Sequence, residues 1–168
     1  MSETHTAGAT RVTAERRLVD GDGTVVVRKR VSKGERLEID SGEESVKLDA
    51  ILLEGLSWQR DLSAIDDCLG GNAVATDPVA TVAGDDGVEI AAASEKVSVS
   101  SEYSHVIVRD VQTPRGPGLE VTTPNRGTSL TLGVRSLLAL TAVEDTYVFS
   151  TWFETPFGPE DTALEGPL

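Results

Sequence analysis

Apolar positions in this chain recur mostly at every second residue. In "TVVVRKRV", Val25, Val27 and Val31 fall on one face and Arg28 and Arg30 on the other. "DGDG" before this run and "SKGE" after it supply turn residues, so the spacing predicts a strand between two reversals. "RLEID" alternates again and "SGEE" turns the chain. In "SVKLDAILLEGLSWQRD", residues 45–61, Val46, Leu48, Ala50, Leu52, Leu56 and Trp58 share one face at a spacing of two. Ile51 and Leu53 break the alternation. The stretch reads as a strand covered on both sides at its centre, or as two strands meeting near Gly55. A helix over "DAILLEGL" is the rival, opposed by Gly55 and the flanking alternation.

One segment has helical spacing. In "DLSAIDDCLGG", Leu62, Ile65 and Leu69 share a side, Asp61 or Ser63 stands at the N-cap, and Gly70 closes the C-terminus. Beyond it, "AVAT", "VATVA", "VEIAAA", "VSVSS", "HVIVRDV", "LEVTT", "TSLTLGV" and "LLALTAV" read as further strands. "GDDG", "QTPRGPG" and "PNRG" mark turns among them. About ten short strands with one short helix predict an all-β chain, an antiparallel sandwich or barrel, most concretely a single jelly roll. Residues 1–10 read as a flexible arm, 11–159 as the β-sandwich domain, and 160–168 as an acidic tail. Nothing repeats at a fixed period, which argues against propellers and solenoids.

Charge changes the picture most. The 168 residues carry 28 acidic and 15 basic side chains, a net charge of −13. Such a field repels nucleic-acid backbones and disfavours DNA or RNA as partners. Lysine is scarce beside arginine, with only Lys29, Lys33, Lys47 and Lys96. Abundant carboxylates with few lysines match the style of haloarchaeal proteins. No apolar run approaches the roughly 20 residues of a membrane-spanning helix. The opening "MSETHTAGAT" has neither a basic nor an apolar region, so the reading is a chain that stays in the cytoplasm unless packed into a particle.

Little of the remaining chemistry is catalytic. His5 and His105 are the two histidines and Cys68 the one cysteine, too few for an ordinary zinc site; no metal and no cofactor is expected. The Asp-Gly pairs at 20–23 and 84–87 suit hairpin turns and lack the ligand spacing of a calcium loop. No "GxSxG" elbow is present, and histidine limits any triad. Cys68 lies beside Asp66 and Asp67 and reads as a small buried apolar residue. Arg115 in "PRGPG" and Arg126 in "PNRG" sit in exposed turns, where they serve solubility or pair with an acidic neighbour.

The chain has seven aromatic side chains, and five lie in "TYVFSTWFETPF". As a strand over 146–155, this stretch turns Tyr147, Phe149 and Phe153 one way and Trp152 the other. Tyr147 and Phe149 read as core. Trp152, Phe153 and Phe157, where Pro156 and Pro159 end the pairing, read either as core or as contacts with another subunit. Trp58, Arg115 and Arg126 complete the candidate subunit interface.

The long "SVKLDAILLEGLSW", the turn-rich middle and "TYVFSTWFETPFGP" together resemble the small single-jelly-roll capsid proteins of icosahedral haloarchaeal viruses with an internal membrane. The resemblance implies an upright barrel that packs side by side with like subunits into pseudo-hexameric units of a virion shell, without catalysis. The scarcity of basic residues at either end argues against direct contact with membrane headgroups. The reading from a different class is a haloarchaeal β-sandwich binding module for a small ligand or cation. Its mark would be a polar pocket involving the acids at 20–22 and 85–86.

Overall fold

The computed structural model describes residues 10–21, 23–59, 61–81, 90–143, 146, 148 and 149. Within them the chain is mostly β, with two antiparallel sheets and three short helices. The first sheet is a meander of β1 (Arg11–Asp20), β2 (Gly23–Val31), β3 (Glu35–Asp40) and β4 (Ser45–Asp49). Two helices follow, α1 (Ala50–Ser57) and α2 (Leu62–Leu69). In the second sheet, β5 (Ala92–Ala93) and β6 (Val97–Ser100) pair along one side of β7 (His105–Thr113). They act as one edge strand, interrupted at residues 94–96. β8 (Gly116–Thr123) and β9 (Thr128–Gly133) complete the sheet, and α3 (Val134–Thr141) follows at once.

The two sheets are therefore two copies of one plan, a four-stranded meander running directly into a helix. The registers match residue by residue. Val27 and Ile39 are partners in the first sheet, Val108 and Val121 in the second. Leu37 faces Leu48 as Leu119 faces Leu132. "LEI" at 37–39 corresponds to "LEV" at 119–121. Arg28 pairs with Glu38 across the strands at 3.2 Å, and Arg109 pairs with Glu120 at 2.7 Å. In the helices, Ala50, Leu53, Leu56 and Ser57 correspond to Val134, Leu137, Leu140 and Thr141, and all eight are buried. Even a hydroxyl bond is duplicated. Ser57 Oγ donates to the Glu54 carbonyl at 2.8 Å, and Thr141 Oγ1 donates to the Leu138 carbonyl at 2.6 Å.

The helices are exchanged between the copies. α1 packs chiefly on β7 and β8 of the second sheet, and α3 on β2 and β3 of the first. One core results, shared by both sheets and both helices, with Leu18, Val25, Leu37, Leu48, Leu53, Val106, Leu119, Leu132 and Leu137 at its centre. Fully burying a side chain of that size stabilises by about 1.5–3 kcal/mol. Each half thus depends on the other for the cover of its sheet.

Several expectations from sequence need correction. The strand expected through 45–61 ends at Asp49, whose side chain accepts from Leu52 N at 2.9 Å and starts α1. "LLALTAV" lies in α3 rather than in a strand. "AVAT" and the first part of "VATVA" form turns, with a single bridge from Thr81 to Thr131. Among the described residues, three helices stand where one was expected. β1, a strand of ten residues at the edge of its sheet, carried no signal because only Leu18 in it is buried. The helix at 62–69 formed as the spacing requires, with Asp61 accepting from Ser63 N and Gly70 left-handed at φ 81°. Of the aromatic stretch, residues 146, 148 and 149 have 3₁₀ geometry rather than a strand's, and Phe149 is fully buried. The arm at 1–9, the "GDDG" turn, the acidic tail and residues Trp152, Phe153 and Phe157 lie outside the described residues.

Candidate functional site

The exchange of helices brings the two halves together at the start of α3. Its N-cap is Gly133, which has no side chain to satisfy the first helical N–H groups. Asp77 supplies the missing carboxylate from the chain between the halves. Its Oδ2 accepts from Gly133 N at 2.8 Å, Ser136 N at 3.3 Å and Ser136 Oγ at 2.5 Å, and its Oδ1 accepts from Val79 N at 2.9 Å. A Cβ at position 133 would stand 2.5 Å from Asp77 Oδ1, so glycine is required there. Its cross-strand partner Gly118 is constrained by the same strap, since a Cβ would come within 2.8 Å of Val79 Cγ1. In the first half, Asp49 at the equivalent position caps its own helix.

Around this cap lies a recess of about 580 Å³. Asp20 and Gly23 of the β1–β2 hairpin form one wall, Asp77 and Pro78 another, and Arg115 of the β7–β8 turn a third. Val134, Arg135 and Leu138 of α3 close it from beneath. Arg115 Nη1 donates to the Pro78 carbonyl at 3.1 Å, which holds the side chain over the opening. A Cβ on Gly116 would stand 3.2 Å from Asp20 Oδ2, so that carboxylate lies against the β7–β8 turn. Asp20, Arg115 and Arg135 form no ion pair among the described residues. Asp77 is buried and fully engaged as a cap, which offsets the positive end of α3. The Arg135 guanidinium, the Arg115 guanidinium with no ion pair beyond its bond to a backbone carbonyl, and one carboxylate thus face a space with an apolar floor.

The equivalent place in the other half is crossed by hydrogen bonds. Glu54 of α1 stands where Leu138 stands in α3. Its Oε1 accepts from Ser104 Oγ at 2.5 Å and its Oε2 from Arg126 Nε at 2.6 Å. Glu35 Oε1 accepts from Ser100 N at 2.8 Å beside it. The halves therefore differ at matching positions, bridged in one and open in the other.

Arg115 thus belongs to the recess and Arg126 to the bridged side. The Arg126 guanidinium carbon lies 4.2 Å from the centroid of the Trp58 ring, and Trp58 is only 4% exposed. A neighbouring molecule at this place would meet Arg126 first. Cys68 is half-buried, and its Sγ donates to the Val148 carbonyl at 3.3 Å. Two groupings had no signal in the sequence. Arg16 Nε and Asp110 Oδ1 join the sheets at 3.4 Å. Ser100 Oγ and His105 Nδ1 are 2.7 Å apart as cross-strand partners. That second pair has the elements of a nucleophile and base, but it is exposed, and no carboxylate orients the ring among the described residues. The first depends on how the two sheets pack together, and the second on the register of β6 with β7.

The outer face of the first sheet carries a row of alternating charge. Glu15, Arg28, Glu38 and Lys47 stand in register across all four strands. Arg28 reaches Asp40 at 2.8 Å, Glu15 at 3.0 Å and Glu38 at 3.2 Å. The Asp40 bond, aided by Glu15 and Glu38, holds the Arg28 guanidinium above its ordinary pKa. The Arg28 bond, then the Gly42 N–H, lower that of Asp40. The described residues contain no group of three or more His, Cys, Asp or Glu side chains arranged to hold a metal. No described helix is long and apolar enough to cross a membrane. No known family model matches the chain, and no curated protein matches it.

Proposed function

We propose that this chain is a non-enzymatic binding domain that takes a small charged ligand in the recess between its halves. One observation carries the reading. Arg115, Arg135 and Asp20 face the same space without pairing with one another, whereas the matching place in the other half is bridged. Two arginines from separate elements suit a carboxylate or similar anion, and Asp20 suits a donor on the same ligand. The volume falls within the usual range for small-molecule pockets. The lining has no nucleophile with an adjacent base, which favours binding over turnover. The test is isothermal titration of the whole protein in multimolar KCl with zwitterionic amino acids, monocarboxylates and dicarboxylates. At least one should bind at one site, and Arg135→Ala should remove the heat. Silence across all three classes overturns the proposal.

A second reading, the shell subunit that the sequence resembles, has its own support. β1 is a ten-residue edge strand that exposes Val12 at 45% and Val19 at 53%. An open edge of this kind invites pairing with another copy. Under this reading the protein forms defined oligomers in multimolar salt, as seen by light scattering, and Val19→Lys disperses them. A jelly roll would carry strands between sheets. Each sheet here is built from consecutive strands, so assembly would use a double meander instead.

A further inference from the structure

The chain carries a net charge of −13, yet one recess has only basic charges in its lining. It opens at the β2–β3 end of the first sheet and measures about 240 Å³. Thr10, Arg30, Ser32, Gly34, Arg36 and Lys47 line it. None of these residues lines the recess between the halves.

Like charges meet here, although Arg36 also faces Asp49 across β3 and β4, a carboxylate that caps α1. Arg30 and Arg36 are direct cross-strand partners, so two like charges oppose each other on one face of the sheet. Such a pair destabilises by about 0.2–1 kcal/mol. Arg30 is partly relieved, since its Nε donates to Glu38 Oε1 at 2.7 Å. Arg36 and Lys47 are exposed and form no ion pair among the described residues. Lys47 faces Glu38 across β3 and β4, but Glu38 is already held by Arg28 and Arg30. Three cations thus converge on a concave corner of an acidic molecule, with a glycine turn as one wall. An anion there would turn the opposed arginines into a clamp.

We propose that this corner binds a phosphate group, either free or as the end of a phosphate ester. Two guanidinium forks and one ammonium match a tetrahedral anion with several oxygens and more than one charge. With Arg30 already partly balanced by Glu38, a single carboxylate would still leave either Arg36 or Lys47 without a counter-charge. In strong salt, long-range attraction is screened within a few ångströms. Recognition then rests on direct contact, and chloride offers neither the oxygens nor the second charge.

The probes are inorganic phosphate, inorganic pyrophosphate and glycerol phosphate, titrated into the whole protein at constant ionic strength in KCl and followed by phosphorus NMR and calorimetry. At least one should bind at a single site. Arg36→Ala and Lys47→Ala lie on the exposed face, so both variants should fold, and each should weaken binding by about tenfold. Tighter binding of glycerol phosphate than of inorganic phosphate assigns the site to an ester, and the reverse order to the free ion. Arg135→Ala should leave this binding unchanged, which separates the site from the other recess. Absence of binding at ten-millimolar probe overturns the proposal. So does binding that survives the Arg36→Ala/Lys47→Ala double variant or is lost in Arg135→Ala.

Discussion

Asp77 shows how one side chain can serve two distant elements. It caps a helix that has no cap of its own and ties down the strap that covers Gly118 and Gly133. Asp77→Ala would leave buried N–H donors of Gly133 and Val79 unmatched and should cost about 3 kcal/mol, read from denaturant unfolding in fixed KCl. Gly133→Ala should destabilise even with Asp77 intact, because the new methyl meets both Asp77 and Val79. Asp40 sets a dependence on pH. Its carboxyl pKa lies below the ordinary value of 3.8 in the folded protein, chiefly through Arg28. Its contribution is therefore complete above that ordinary value and is lost as pH falls through the lower, folded pKa. Asp40→Asn should flatten the acid limb of the stability curve, as measured by thermal unfolding between neutral and strongly acidic pH. Unchanged steepness would assign acid unfolding to other carboxylates.

The elements differed in how far their residues announced them. α2 was legible because Asp61, Gly70 and a clear apolar stripe all point to the same answer. β2, β3, β7 and β8 were legible from alternation, since each has one face in the core. α1 and α3 were not. Both are eight residues long and rich in leucine; the contrast between faces is small in α1, while α3 has an apolar stripe much like that of α2 but no capping side chain at Gly133 to mark its start. Isolated helices of that length are marginal, and packing on the opposite sheet decides them. Leu53→Ala and Leu137→Ala should therefore each cost about 2–5 kcal/mol. Each should unfold both sheets together, with circular dichroism and tryptophan fluorescence giving coincident transitions. Of the recess between the halves, only Asp20 and Arg115 were visible beforehand. Arg135 lay between two segments read as strands, 128–134 and 137–143, where it now stands in the first turn of α3, and the role of Asp77 required the fold.

At the scale of the whole molecule, the described residues hold a meander-and-helix unit twice, with α2 and the Asp77 strap between the two and the helices exchanged. The duplication escaped the sequence because there are only two copies and their turns differ, Ser32–Gly34 in one and Pro114–Arg115 in the other. The halves differ at matching positions. Glu54 bridges one mouth where Leu138 leaves the other open. Arg30 and Arg36 converge in the first half, and the corresponding cross-strand pair in the second is Val111 and Gly118. The most direct test is to express residues 1–84 and 85–168 separately and then mix them. Exchanged helices predict that each fragment alone is unfolded by circular dichroism, and that a one-to-one mixture regains the β spectrum and a single cooperative melt. A fragment that folds cooperatively by itself, with its helix on its own sheet, would contradict the account.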